Sequence, residues 1–243
     1  MAGKGETLMD IASSDFNESE AKILENPIIV TQKDSNQRSL LHWAASIGKE
    51  RLVELLLKFE SCQIDEPDDT GATPLLLATL KGSMPICKML CERDADINHF
   101  NANGHTPVKY ACSKNNKELL IYLLDCGADP NKCDNIGDGP LHRAASMEHH
   151  ECLRILLNHP KSKDLILIDA QNNQGNTALH LACECNDATG AAILIDHGAS
   201  IELKNKEEKT PVDVCNPYLR RKINEYLESK NKGQPKTDTN LEK

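Results

Sequence analysis

Apolar and polar positions alternate along the chain in a grouping that returns at nearly constant spacing. The stretches RSLLHWAASIG, ATPLLLATLKG, HTPVKYACSKN, DGPLHRAASME, NTALHLACECN and KTPVDVCNPY share one pattern, and a weaker copy, ETLMDIASSD, opens the protein. Their first helical positions follow Thr7, Ser39, Thr73, Thr106, Gly139, Thr177 and Thr210, which are separated by 32, 34, 33, 33, 38 and 33 residues. Each stretch reads as a short helix. An apolar pair and a Gly-Ala-like turn follow it, as in LLDCGADPN and LIDHGASIE, so each unit predicts helix, turn, helix and hairpin.

Local chemistry agrees with that division. Thr or Ser caps the first helix through its side-chain oxygen, and proline at the next position loses no hydrogen bond there. Gly127 and Gly198 fall where a left-handed residue ends the second helix. The Asp-x-x-Gly runs Asp68 to Gly71 and Asp134 to Gly137 predict the hairpin turn. A period near 33 is the signature of ankyrin repeats. The expected fold is all-α: an ankyrin-repeat solenoid of seven helix-turn-helix units with β-hairpin loops. The units are bounded at about 5–36, 37–70, 71–103, 104–136, 137–174, 175–207 and a cap over 208–228. The 38-residue step predicts an enlarged edge loop between His159 and Asn173, and 229–243 reads as a disordered tail.

Composition narrows the function. The chain has 243 residues, 39% of them hydrophobic and 3% aromatic, and a formal net charge of −9. Nucleic-acid binding needs a clustered basic surface, which this balance does not provide. No apolar run approaches the roughly 20 residues of a membrane span, and MAGKGETLMD lacks the core of a secretory signal, so an intracellular protein is expected. The ten cysteines are scattered and read mostly as small buried hydrophobes.

Candidate chemistry is sparse. His180, Cys183 and Cys185 resemble a metal clamp, but the histidine recurs as His42 and His142 at the same repeat position. It therefore reads as a structural imidazole bonded to backbone, with Cys183 in place of a buried alanine. Cys87 and Cys91 read as core, and His149 and His150 as a solvated polar turn. No cofactor, metal or catalytic motif is expected. The informative surface is the concave face, where the repeat does not dictate residues. Arg38, Ala72, His105, Asp138, Asn176 and Lys209 lie there on the hairpins. Trp43, Ser46, Leu77, Leu80, Tyr110, Ser113, Arg143, Ser146, Leu181 and Glu184 lie there on the first helices. The hairpin Asp65 to Asp69 adds four carboxylates that suit a basic partner, and Lys204, Lys206, Lys209, Arg220, Arg221 and Lys222 give the far end the opposite sign.

With DSNQRSLLHWAASIG, PLHRAA, GNTALHLAC and ASIELKNKEEKTP in register over Glu6 to Leu227, the chain resembles the gankyrin family. The resemblance implies a non-enzymatic, monomeric chaperone of 26S proteasome assembly in cytoplasm and nucleus. Its concave face would grip the C-terminal domain of one AAA ATPase subunit of the regulatory-particle base. Contact residues carried over from the family are Arg38, Trp43, Ser46, Asp69, Ser113 and Lys114, with Asp34 and Asp68 as helpers. Arg38 would meet partner glutamates and Asp69 partner arginines. Ala72 and Leu80 depart from the vertebrate form's tryptophan and serine, and Cys185 replaces the glutamate of its L-x-C-x-E motif. A regulator of cyclin-dependent kinases is the alternative partner class.

Overall fold

The computed structural model describes residues 6–233, with side chains to Ser229. Seven helix pairs follow one another: α1 Leu8–Ser13 with α2 Phe16–Glu25, α3 Leu40–Ile47 with α4 Glu50–Leu56, α5 Pro74–Lys81 with α6 Met84–Cys91, and α7 Pro107–Ser113 with α8 Lys117–Asp125. Then come α9 Pro140–Ser146 with α10 His150–Asn158, α11 Ala178–Glu184 with α12 Ala188–Asp196, and α13 Pro211–Val214 with α14 Pro217–Gly233. The first helices pack in series from α1 to α13, each also against its own second helix. Leu40, Leu41, Leu75, Leu76, Leu119, Leu120, Leu123 and Leu124 are fully buried between them, and small residues such as Ala44, Ala78, Ala111 and Ala144 let the helices approach.

The predicted caps form. Thr73, Thr106 and Thr177 accept from the backbone N–H three residues on. The joint between paired helices is left-handed in units two to six, at Gly48, Gly82, Asn115, Glu148 and Asn186. At Gly48 and Gly82 a Cβ would meet only side-chain atoms, at 3.3 and 3.4 Å, whereas at Gly104 of the hairpin a Cβ would lie 2.7 Å from the Asp134 Cα of the next unit.

The hairpins do not form a β-ladder. The one strand-like pairing among the described residues is an isolated bridge between Lys33 and Ser39. The turns instead stack on one another, each giving a backbone N–H to the unit before it: Asp69 to Asn36, Ala102 to Thr70, Asn135 to Asn103, Asn173 to Ile136 and Lys206 to Gln174, over 2.9 to 3.2 Å. Hydrogen bonding thus runs along the solenoid axis as well as across each turn, where Asp68 N, for example, donates to Ala72 O at 2.9 Å.

One boundary shifts. α14 continues to Gly233, past the expected start of the tail at 229; residues 234–243 lie outside the described residues. The enlarged loop is laced to the preceding unit, since Asn131 donates to Leu165 O (2.8 Å) and accepts from Leu167 N (2.9 Å). Ser162, fully buried, donates to Leu156 O (2.8 Å) and closes it.

Candidate functional site

Six residues placed five before each helix cap organise the face made by the hairpins and first helices. They are Asp34, Asp68, Asn101, Asp134, Asn172 and Asn205, and each Oδ1 accepts from the backbone N–H groups two and four residues on. This Asx geometry builds the turn that the sequence pattern predicts.

The second polar atom of these side chains makes the face continuous. Asp68 Oδ2 accepts from Arg38 Nε at 2.9 Å. Asp134 Oδ2 meets His105 Nε2 at 3.7 Å and also accepts from the buried Lys109. Asn172 donates to Asp138 at 2.8 Å, and Asn205 to Asn176 at 2.7 Å. Each link joins one unit's residue before the cap to the Asx residue of the next unit. The series breaks at Ala72, which has no polar group to offer, and Asn101 turns instead to the Tyr110 hydroxyl at 2.9 Å.

Most of the expected contact residues are thereby engaged within the chain. Trp43 Nε1 donates to Asp34 Oδ2 at 2.8 Å, and the Arg38 guanidinium lies 4.9 Å from the Trp43 ring centroid. The Arg143 Nε donates to Ser113 Oγ at 2.9 Å, and Ser46 Oγ donates to Trp43 O. Asp68 is not available to a partner: its side chain is 0% exposed. Burial would raise its carboxyl, but donors from Thr70, Ala72 and Arg38 outweigh that and hold it below the usual carboxylate range. Asp69 and Lys114 are exposed, and neither has an ion-pair partner among the described residues.

The acidic hairpin is therefore a smaller cradle than the sequence suggests. Asp65 accepts from Asp96 N, Glu66 pairs with Lys33 at 2.6 Å, and Asp68 is buried, which leaves Asp69. The basic far end is likewise compensated. Lys204 pairs with Glu208, Lys209 with Glu207, Arg220 with Asp213, and Arg221 and Lys222 with Glu225.

Two of the recurrent histidines, His142 and His180, act as struts between units. The Nδ1 atoms of His42, His142 and His180 accept from the N–H of Ser39, Gly139 and Thr177. On the far side, Nε2 of His142 donates to Asn176 O at 3.0 Å and that of His180 to Lys209 O at 3.1 Å. Lys109 stands at the same position and reaches the matching carbonyl, Asp138 O, at 2.8 Å. Burial lowers all three imidazoles, so they stay neutral. Cys183 is buried, and burial pushes its thiol well up; Cys87, also buried, is pushed up to about 12. High thiol values disfavour the thiolate that metal binding or exchange needs.

His149 and His150 depart from the expected solvated turn. His149 Nδ1 donates to Cys112 O at 2.7 Å, and His150 Nε2 reaches both oxygens of Asp187 at 2.8 and 2.9 Å. They stitch their unit to both neighbours. The carboxylate that meets His150 lies 37 residues away along the chain, out of reach of any local pattern.

Compared with known families, the chain matches "Ankyrin repeats (3 copies)" over residues 8–101, 41–134 and 108–205. Among individual proteins, it is similar to the probable 26S proteasome regulatory subunit p28 of Saccharomyces cerevisiae, with 36% identity over 69 residues, 28% of this chain and 30% of that one. It is similar to the 26S proteasome non-ATPase regulatory subunit 10 of Dictyostelium discoideum, with 39% identity over 64 residues, 26% of this chain and 28% of that one. A palmitoyltransferase of Lachancea kluyveri also matches, at 36% over 74 residues, 30% of this chain and 10% of the enzyme. Each match spans less than a third of the relative's length.

Proposed function

The chain belongs to the ankyrin-repeat proteins, and on that premise we propose that it is a non-enzymatic chaperone of 26S proteasome regulatory-particle assembly. In this reading its hairpin-and-first-helix face binds the C-terminal domain of one base AAA ATPase. The observation that carries the reading is the arrangement of Arg38, Trp43, Asp69 and Lys114. An aromatic ring and guanidinium are held rigid by Asp34 and Asp68. Asp69 follows Asp68 directly in the chain and Lys114 ends α7 two units on, and neither makes an ion pair among the described residues.

Rigid Trp and Arg side chains are favourable interface anchors because little side-chain entropy is lost on binding. Asp69 and Lys114 would orient a partner carrying both signs of charge. The two relatives named as proteasome regulatory subunits support the choice of partner. No helix among the described residues is long and apolar enough to cross a membrane.

Asp69→Ala is the cleanest test, since its carboxylate makes no ion pair in the chain. Binding to the cognate ATPase domain should weaken about tenfold with thermal unfolding unchanged. An unaltered affinity would remove Asp69 from the interface.

A further inference from the structure

We infer that the outer face of the first unit is a second interaction surface, which takes a basic amphipathic helix of a partner protein against Met9 and Leu24. The inference is independent of the partner proposed for the hairpin-and-first-helix face. Met9 stands two residues after its cap, and the same position in the next five units holds Leu41, Leu75, Val108, Leu141 and Leu179, none more than 4% exposed. Met9 is 47% exposed. Leu24 follows the fully buried Ile23 of α2, as Leu57, Leu124 and Leu157 follow the fully buried Leu56, Leu123 and Leu156 of their own units. Those three keep at most 5% exposure, and Cys91 and Ile195 at the same place are half-buried, whereas Leu24 is 62% exposed.

The first unit packs on the second as later units pack on their successors, α1 on α3 and α2 on α4; what it lacks is a unit before it. Met9 and Leu24 therefore share the surface that a preceding unit covers elsewhere in the stack. The cover elsewhere is a pair of helices, first helix on first and second on second, so the face is shaped for a helix. A stack of repeats ordinarily ends in a polar outer face. The far end does so: Arg220, Arg221, Lys222, Asn224, Glu225 and Glu228 are exposed along α14, with Tyr218 the one large apolar residue among them.

Charge selects among helices. Residues 1–26 carry six carboxylates, Glu6, Asp10, Asp15, Glu18, Glu20 and Glu25, against Lys4 and Lys22. Lys22 is taken up by Glu6 and Glu18, and Glu20 and Glu25 have no ion-pair partner among the described residues. Glu20 lies one turn before Leu24 on α2, on the same side of the helix, and Glu25 follows Leu24 directly. Two such faces repel one another, and the cations of α14 are engaged by Asp213 and Glu225, so neither end of a second copy of this chain complements the surface. A helix carrying lysine or arginine beside two apolar side chains does.

The test uses the full chain and a labelled synthetic peptide of about 18 residues, about five helical turns, with its leucines on one helix face and its lysines on the other. Fluorescence anisotropy reads the binding. Wild type should bind this peptide, and should bind a scrambled peptide of the same composition, or one with glutamate in place of lysine, at least about tenfold more weakly. Joint Met9→Ser and Leu24→Ser substitution should weaken binding about tenfold with thermal unfolding unchanged, since both side chains are exposed. Joint Glu20→Gln and Glu25→Gln substitution, which removes no apolar contact, should also weaken it, and that difference should vanish at about 0.5 M salt. Leu167→Ser, which removes an equally exposed leucine from the enlarged loop, should bind as wild type. Absence of binding by wild type, or equal binding by wild type and either double variant, overturns the inference. Dimerisation of the wild type in sedimentation, abolished by the Met9 and Leu24 substitutions, overturns it as well, because the occupant is then a second copy.

Discussion

Arg38 Nε lies 2.9 Å from Asp68 Oδ2, linking the hairpin of one repeat to the turn of the next. Arg38 keeps 22% of its side chain exposed and Asp68 none, so the pair joins a surface facing a partner to an acceptor used wholly inside the fold. Asp68 also accepts from Thr70 N, Thr70 Oγ1 and Ala72 N. Asp68→Ala should destabilise the chain by about 3 kcal/mol, because it orphans the buried Ala72 N and three partly buried donors at once. Arg38→Ala should cost about 1 kcal/mol, as the remaining donors still hold the carboxylate. Asp68→Asn should fall between, since Asn101, Asn172 and Asn205 fill the same position. Chemical denaturation measures all three.

The three buried imidazoles set an acid-sensitive window. Their folded values lie below the ordinary 6.5, so the unfolded chain binds more protons below that pH. Their stabilising effect is complete above pH 6.5 and declines as pH falls beneath it. Asp34, Asp68 and Asp134 are held below 3.8, so their stabilisation is complete above 3.8 and is lost as pH falls further. Thermal unfolding followed from pH 8 to 3 should show a first decline below 6.5 and a second below about 4. A midpoint flat from pH 7 to 5 would contradict the strut role.

Glu148 occupies a left-handed joint at φ 56° where other units use glycine or asparagine. Glu148→Gly should stabilise by up to about 1 kcal/mol, by relief of Cβ crowding. Gly104→Ala should destabilise by more than that, since its Cβ would collide with backbone of the next unit. Paired melting curves give the two signs.

Leu123 is fully buried in α8. Leu123→Ala should cost roughly 2 to 5 kcal/mol as a core truncation, and in a nearest-neighbour stack the loosening should extend to adjacent units. Amide exchange, faster in α7 to α10 than in the terminal units, checks the spread.

What was legible in the sequence is what a single unit dictates. Thr73, Thr106 and Thr177 announce their helices because capping is local, and Leu123 its burial because apolar spacing is periodic. The cross-unit links were hidden. Asp34 and Asp68 look like free surface carboxylates until stacking brings Trp43 and Arg38 to their second oxygens. His150 finds Asp187 only through packing of α10 on α12. A signal existed, since an Asp or Asn stands five residues before six successive caps, and it marks the turn. Which neighbour its spare atom meets depends on the register between units, which no local pattern encodes. The hairpins lack ladders because the donors that would continue one, Ala72 N, His105 N and Asp138 N, are taken by the Asx side chains of their own turns.

The central claim is that this face holds the C-terminal domain of one base ATPase. Calorimetric titration of the full chain against the isolated C-terminal domains of all six proteasomal ATPases, one at a time, tests it most directly. The account predicts one-to-one binding to a single domain, weakened by Asp69→Ala and Lys114→Ala with unfolding unchanged. Absence of binding to all six would contradict it.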